Sequence, residues 1–273
     1  MRSRQQIPVP GPEVKTTGGV VRGITTRGVH TWRGVPYAAP PVGDLRLRAP
    51  HPVVPWEGVR DGSRYGPVPI QERVGEFLGA GKDTPMSEDC LTLNVTAPTT
   101  VSDEPRPVMV WFYGGAFVVG AGSAPTYRGY ELVRRGDVVY VNVNYRLGAL
   151  GYLDFSAYGT PERPVESNLG LRDQIAALEW VRDNIAAFGG DPGQVTVFGE
   201  SAGAISVTTL MATPSARGLF HRAIAESSAP RGCCATTSAT SPAPSRPRPS
   251  STATSCPSPR STPSRPAAPP TSR

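Results

Sequence analysis

The sequence predicts an α/β fold: an open, mainly parallel sheet entered through antiparallel strands. Three observations point to it. Short Val-rich and aromatic runs separated by Gly turns come first, continuous apolar runs of strand length follow, and these later runs alternate with a segment of helical period.

Residues 19–24 and 29–37 read as the strands of an antiparallel meander, set apart by Gly and Arg-Gly turns. Residues 38–85 are rich in Pro and Gly with little periodicity, and a stretch that long reads as a functional loop region rather than a connection. Residues 91–95 are a short strand. Residues 107–113 and 138–143 are continuous apolar runs that suit buried parallel strands, the first ending at Gly114-Gly115. Within 168–188, Ile175, Leu178, Val181, Ile185 and Phe188 recur every three or four residues, with Gly189-Gly190 just beyond. That is an amphipathic helix with a glycine stop. Residues 194–198 form a third such strand, followed by a small-residue helix through about Met211, and 222–226 form a fourth. No internal repeat is visible.

Composition divides the chain. Its 273 residues carry a net charge of +6, yet from Arg231 onward only Ser, Pro, Thr, Ala, Arg, Cys and Gly occur. Six of the 28 basic residues and none of the 22 acids lie there, so residues 1–230 are electrically neutral. A polyanion-binding body is thereby excluded. The tail's arginines are dispersed among Pro and Ser with no aromatic to stack on a base, so no nucleic-acid partner is expected. Cys90 is the body's single cysteine, which excludes a disulfide framework. No apolar run is long enough to span a membrane and the N-terminus lacks an apolar signal core, so a cytoplasmic protein with no membrane partner is expected. The expected organisation is a body over 1–230 and a low-complexity, disordered tail over 231–273.

The most informative motif is Gly199-Glu200-Ser201-Ala202-Gly203, between a predicted strand and a predicted helix. In that setting G-x-S-x-G describes a sharp strand-to-helix turn. The serine takes strained φ/ψ, and glycines two residues to either side remove Cβ atoms that would collide. The turn aims Oγ at solvent and brings the Ala202 amide to a helix N-terminus, where it can donate to a developing oxyanion. Gly114-Gly115-Ala116-Phe117, at the end of an apolar strand, offers further bare amides. By itself it reads equally as a plain turn; joined to the serine elbow it reads as the second half of an oxyanion hole. A phosphate loop does not fit, because Ala121-Gly122 stands where Lys-Ser/Thr would follow Gly115 and Gly120. No motif asks for a metal or an organic cofactor.

Four segments together resemble the type B carboxylesterase and lipase family: 32–46, running from Trp32-Arg-Gly-Val-Pro-Tyr37 to Arg46; 87–95, Ser87-Glu-Asp-Cys-Leu-Thr-Leu-Asn-Val95; 110–117, where the family has His or Tyr before the glycines; and 188–203, the nucleophile signature. The resemblance runs over about residues 14–227, less than half a usual family domain. It implies the N-terminal part of an α/β-hydrolase fold and a small-molecule carboxylic ester as substrate. It makes Ser201 the acyl-forming nucleophile and Gly114, Gly115 and Ala202 the oxyanion donors. Glu200 is the family's usual neighbour of the serine, read equally as a partly buried carboxylate in a polar network or as a direct participant. In many relatives the cysteine at position 90 is disulfide-bonded; its partner's place here falls at Pro69, so Cys90 is expected as a buried free thiol.

Such chemistry needs an acid and then a histidine after the serine. After Ser201 the sequence holds only His221 and Glu226, in reversed order. His221 falls in a family-like segment without catalytic duty, and His30 and His51 precede the sheet core, so no triad acid or histidine is expected in this chain. Two classes remain open: an esterase that is incomplete as written, and an inactive fragment or binding module of the same fold. A poor enzyme with an apolar sheet edge exposed beyond Glu226 is expected.

The tail suggests why. Each of its seven residue types can be encoded with C or G at the second codon position, as a frame displaced by one base in a GC-rich gene would give. The expectation is a frame slip between Ser227 and Gly232. The competing origin is a natural Pro/Ser/Thr-rich linker, although such linkers usually admit Glu, Gln, Lys or Asp.

Overall fold

Antiparallel pairing of β1 (Val9–Lys15), β2 (Val20–Thr26) and β3 (Val29–Pro36) opens the chain. This computed structural model describes residues 7–75, 77 and 79–227. The expected disordered tail, 231–273, lies outside the described residues. Arg27 and Gly28 join β2 to β3 with φ of 50° and 76°, the doubly left-handed pattern of a two-residue hairpin turn whose twist matches its strands. β1 is absent from the sequence reading because its Pro10, Gly11 and Pro12 read as a breaker. It is an edge strand with a register shift between Pro10 and Glu13, where prolines are tolerated.

The loop region predicted over 38–85 holds a three-residue strand, β4 (Val59–Asp61), paired in parallel with β2. The elements beyond it are β5 (Thr92–Pro98), β6 (Arg106–Phe112), α1 (Tyr130–Gly136), β7 (Val139–Val143), α2 (Gly148–Tyr152), α3 (Leu169–Asn184), β8 (Gly190–Glu200), α4 (Ala202–Ala212) and β9 (Arg222–Glu226). The nine strands form one sheet in the order β1-β2-β3-β5-β7-β6-β8-β9, with β4 beside β2. Pairing is antiparallel from β1 to β7, through β5, and parallel among β7, β6, β8 and β9. The predicted antiparallel entry and parallel centre are both present. The short helices α1 and α2 escaped the sequence reading because one or two turns carry too little periodicity.

The parallel strands are Val-rich because both faces need filling. Val108, Val110, Val195 and Val197 are fully buried on the face where α3 and α4 pack. α3 continues as a 3-10 turn over Ile185–Phe188 and stops at Gly189 with φ 81°, the glycine stop expected there. Phe188 then meets Trp32 edge-on, ring centroids 4.9 Å apart, tying the meander to the helix end. One ion pair lies inside this core. Arg146, just past β7, donates to both Asp173 oxygens on α3 at 2.8 and 2.6 Å, and its backbone N–H adds a third bond at 3.0 Å. Burial pushes the Asp173 carboxyl up from its ordinary value and these bonds pull it back.

Candidate active site

β8 delivers Ser201 and α4 begins at the next residue. Ser201 has φ 54° and ψ −120°, a conformation an L-residue holds only under constraint. Two backbone bonds impose it: Ser201 N–H donates to the Glu226 carbonyl at 2.9 Å, and Ile205 N–H donates to the Ser201 carbonyl at 2.9 Å. The flanking glycines let the end of β6 pass beneath. A Cβ on Gly199 would lie 2.6 Å from the Gly203 carbonyl carbon and 2.7 Å from the Phe112 oxygen, and one on Gly203 would overlap that same oxygen. These are backbone atoms with no room to yield, which is the physical content of the two glycines.

Gly114 sits against this turn. A Cβ there would be 2.7 Å from the Glu200 carbonyl oxygen, 2.8 Å from Glu200 Oε2 and 3.1 Å from Ser201 Cβ. The chain then reverses through Gly115 (φ 118°), Ala116 (53°) and Phe117 (61°), with the Val118 and Val119 N–H groups both bonded to the Gly115 carbonyl at 3.0 Å. Among the described residues the N–H groups of Gly114, Gly115 and Ala202 donate no hydrogen bond, and Ser201 Oγ has no partner. Gly114 thus lies against the Ser201 turn, and Ala202 opens α4 directly after it.

The loop that carries the glycines is braced by residues the sequence reading missed. Gln71 donates from Nε2 to the Gly120 carbonyl at 2.7 Å and accepts the Gly120 N–H at 2.9 Å. Asn144 accepts the Gly122 N–H at 2.8 Å. Tyr113 stacks on Tyr145 with centroids 4.5 Å apart, and Tyr145 Oη donates to the Tyr113 carbonyl at 2.5 Å. The available signal was Asn142 inside β7 and Asn144 just past its end, polar residues beside an otherwise apolar run.

Glu200 departs from the partly buried reading: its side chain is exposed and accepts no hydrogen bond among the described residues. Its charge still reaches Tyr127, whose phenol is pushed up by burial and then by Glu200. His221 lies beside the middle of β8, where its N–H donates to the Val195 carbonyl at 2.8 Å and its Nδ1 accepts the Val195 N–H at 3.2 Å. Six residues of extended chain separate Val195 from Ser201, about 20 Å at ~3.3 Å per residue. His30 is held by Thr25 Oγ1 at 2.8 Å in the β2–β3 hairpin, and His51 is exposed on the loop. Cys90 is free and 1% exposed, and burial pushes its thiol up. Pro69 lines the same small cavity as Cys90.

The Carboxylesterase family model matches residues 10–263. The chain belongs to the carboxylesterase family. Its sheet is the N-terminal part of the α/β-hydrolase fold that other carboxylesterases share. A para-nitrobenzyl esterase of Bacillus subtilis (strain 168) is 51% identical over 218 residues, covering 80% of this chain and 44% of that protein. A phenmedipham hydrolase of Pseudarthrobacter oxydans is 46% identical over 219 residues, covering 79% and 43%. The solved structure of a thermophilic PNB esterase superposes with a TM-score of 0.75 at 52% identity, over 80% of this chain and 44% of that one. The chain therefore spans less than half the length of these carboxylesterase relatives. The family match reaches residue 263, beyond residue 227 where the sequence reading ended the resemblance, while the pairwise matches cover four-fifths of the chain. Among the described residues no helix is long and apolar enough to cross a membrane, and no cluster of three metal-ligating side chains occurs.

Proposed function

We propose that this chain carries the nucleophile and oxyanion hole of a carboxylic ester hydrolase acting on small-molecule esters. Ser201 Oγ attacks the ester carbonyl, the alcohol leaves, and water releases the acid from the acyl-serine. The N–H groups of Gly114, Gly115 and Ala202 take the negative charge that develops on the carbonyl oxygen. Glu200 shapes the electrostatics beside the serine. The observation that carries this reading is the strained Ser201 (φ 54°) with Gly114 so close that a Cβ on it would stand 3.1 Å from the Ser201 Cβ, and with the N–H groups of Gly114, Gly115 and Ala202 undonated. Relatives named para-nitrobenzyl esterase and phenmedipham hydrolase support a hydrolytic reading of the site, the first of them on an ester.

General-base catalysis is the missing part. His221 and Glu226 are the sole histidine and acid after Ser201 in this sequence, and His221 is bonded to Val195, six residues back along the chain from the serine. That favours a second reading, a chain of this fold with no turnover of its own. Hydrolysis of para-nitrophenyl esters by the purified chain separates the two: turnover abolished by Ser201→Ala supports the first, and none above the Ser201→Ala background supports the second.

The composition supports two further proposals. The body ends near residue 230, and residues 231–273 arise from a frame slip between Ser227 and Gly232. Resequencing that stretch tests the slip, which fails if the displaced frame holds no family-like continuation with an acid and a histidine. A cytoplasmic location accords with the reduced Cys90.

A further inference from the structure

Gln71 stands in the Pro/Gly-rich stretch 38–85, 49 residues from Gly120 in sequence and bonded to it in space. Its carboxamide meets that glycine twice: Nε2 donates to the Gly120 carbonyl at 2.7 Å, and Oε1 accepts the Gly120 N–H at 2.9 Å. Nε2 also donates to the Pro69 carbonyl at 3.0 Å, so the amide is oriented from its own segment as well. Asn144 repeats the lacing two residues on, accepting the Gly122 N–H at 2.8 Å and donating to the Pro67 carbonyl at 3.2 Å. Two side-chain amides thus fasten segment 67–71 to segment 120–122.

The fastened backbone lies directly against Gly115. The Gly120 N–H belongs to the same rigid peptide unit as the Val119 carbonyl. A Cβ on Gly115 would overlap that carbonyl's oxygen and stand 2.9 Å from its carbon. Gly120 in turn faces the Gly114–Gly115 peptide unit, because a Cβ on Gly120 would be 3.0 Å from the Gly114 oxygen and would overlap the Tyr113 ring. The Gly114 carbonyl and the Gly115 N–H point opposite ways in one plane, so a neighbour that limits the first limits the second. Gly115, Ala116 and Phe117 all have positive φ, a backbone that holds its shape only when its surroundings impose it.

We propose that Gln71 is a positioning residue for the reaction at Ser201: its carboxamide fixes the Val119–Gly120 peptide unit and, through it, the direction of the Gly115 N–H. The assignment rests on the functional reading above, in which that N–H is an oxyanion donor. Gln71 touches no reacting atom. It acts by taking freedom from the loop before reaction, so that the Gly115 dipole needs no reorganisation as charge develops on the ester oxygen. Both ends of the amide are needed, one as donor and one as acceptor. Glutamate in its place keeps the length and the acceptor, but when ionised it sets a second oxygen against the Gly120 carbonyl. Once protonated, its O–H donates where Nε2 did.

The test follows phosphonylation of Ser201 in the full 273-residue chain over a range of fluorophosphonate concentrations, which separates the saturating rate from the half-saturating concentration. At neutral pH, Gln71→Ala and Gln71→Glu should lower the saturating rate by about 10- to 10²-fold, the upper figure being the cost of a reacting group misplaced by ~1 Å. The half-saturating concentration should not move. The Gln71→Glu deficit relative to the parent should close as pH falls through the glutamate range, about 4.3. Near-ultraviolet circular dichroism checks that both variants are folded under assay, where a contribution to stability alone leaves the saturating rate unchanged. Amide hydrogen exchange gives a readout independent of reactivity: Gln71→Ala should speed exchange at Val118 and Val119 by about tenfold and leave β6 and β8 as they were.

Saturating rates equal to the parent's, or a change confined to the half-saturating concentration, overturns the positioning role. So does a Gln71→Glu deficit that persists in acid. Should Ser201 of the parent react no faster than its other serines, the ester-hydrolase reading fails, and exchange then decides on the brace alone. Faster exchange at Val118 and Val119 sustains it; unchanged exchange overturns it.

Discussion

A Cβ placed on Gly114 would stand 3.1 Å from the Cβ of Ser201, so the end of β6 and the turn after β8 touch with no side chain between them. That contact brings the amides of the glycine loop to the serine. Gly114→Ala would press a methyl on Glu200 and Ser201 together. The expected cost is about 1–3 kcal/mol of stability and about 10²-fold or more in the reaction of Ser201 with an acylating or phosphonylating reagent. Denaturant unfolding and labelling rates, measured on the same preparation, check the two parts; equal labelling rates would remove Gly114 from the oxyanion hole.

Asp173→Asn leaves Arg146 buried at the head of α3 without its counter-charge. Loss of a buried partner of this kind costs about 3–5 kcal/mol. Replacing both residues by apolar ones of similar volume should recover much of that loss. A double-mutant cycle by urea unfolding reads the coupling directly, and a single-mutant cost near zero would show that water already reaches the pair.

Glu166 accepts the Ala49 N–H at 2.8 Å and pairs with Arg48 and Arg172 at 3.1 and 2.9 Å, which holds its carboxyl below the ordinary value of 4.5. A depressed folded pKa means its contribution is fully present above pH 4.5 and is lost as pH falls through the folded value. Partial exposure screens the ion pairs, so Glu166→Gln should cost on the order of 1 kcal/mol at neutral pH. The gap from the parent should close in acid. Stability curves of the two proteins that stay parallel down the acid limb would exclude this role.

Cys90 is buried and its thiol is pushed up, so both access and thiolate fraction are low. The native chain and its Cys90→Ser variant should therefore consume the same amount of a thiol reagent. In denaturant the parent should consume one equivalent more. A native-state difference of one equivalent would place Cys90 at the surface.

Much of the fold was legible because its signals are local. The Val-rich strands β6, β7 and β8, the period of α3 and its Gly189 stop each follow from short windows of sequence. The elbow was legible for the same reason, since Gly199 and Gly203 sit two residues from Ser201. What escaped depends on distant chain. β1 forms in spite of two prolines because β2 offers it an edge, and Gln71 braces Gly120 from 49 residues away. Neither relation leaves a periodic trace. Glu200 is exposed rather than partly buried because nothing described covers its side of β8.

Selective phosphonylation is the most direct test of Ser201 as an acyl nucleophile with an assembled oxyanion hole. The purified chain is exposed to excess fluorophosphonate and the adduct is mapped by peptide mass spectrometry. Even without a general base, oxyanion stabilisation and binding retain about 10³–10⁴ over water in a serine hydrolase, so the adduct should form on Ser201 ahead of every other serine and vanish in Ser201→Ala. An adduct spread over the serines in proportion to their exposure, with Ser201 no faster than the rest, would contradict it.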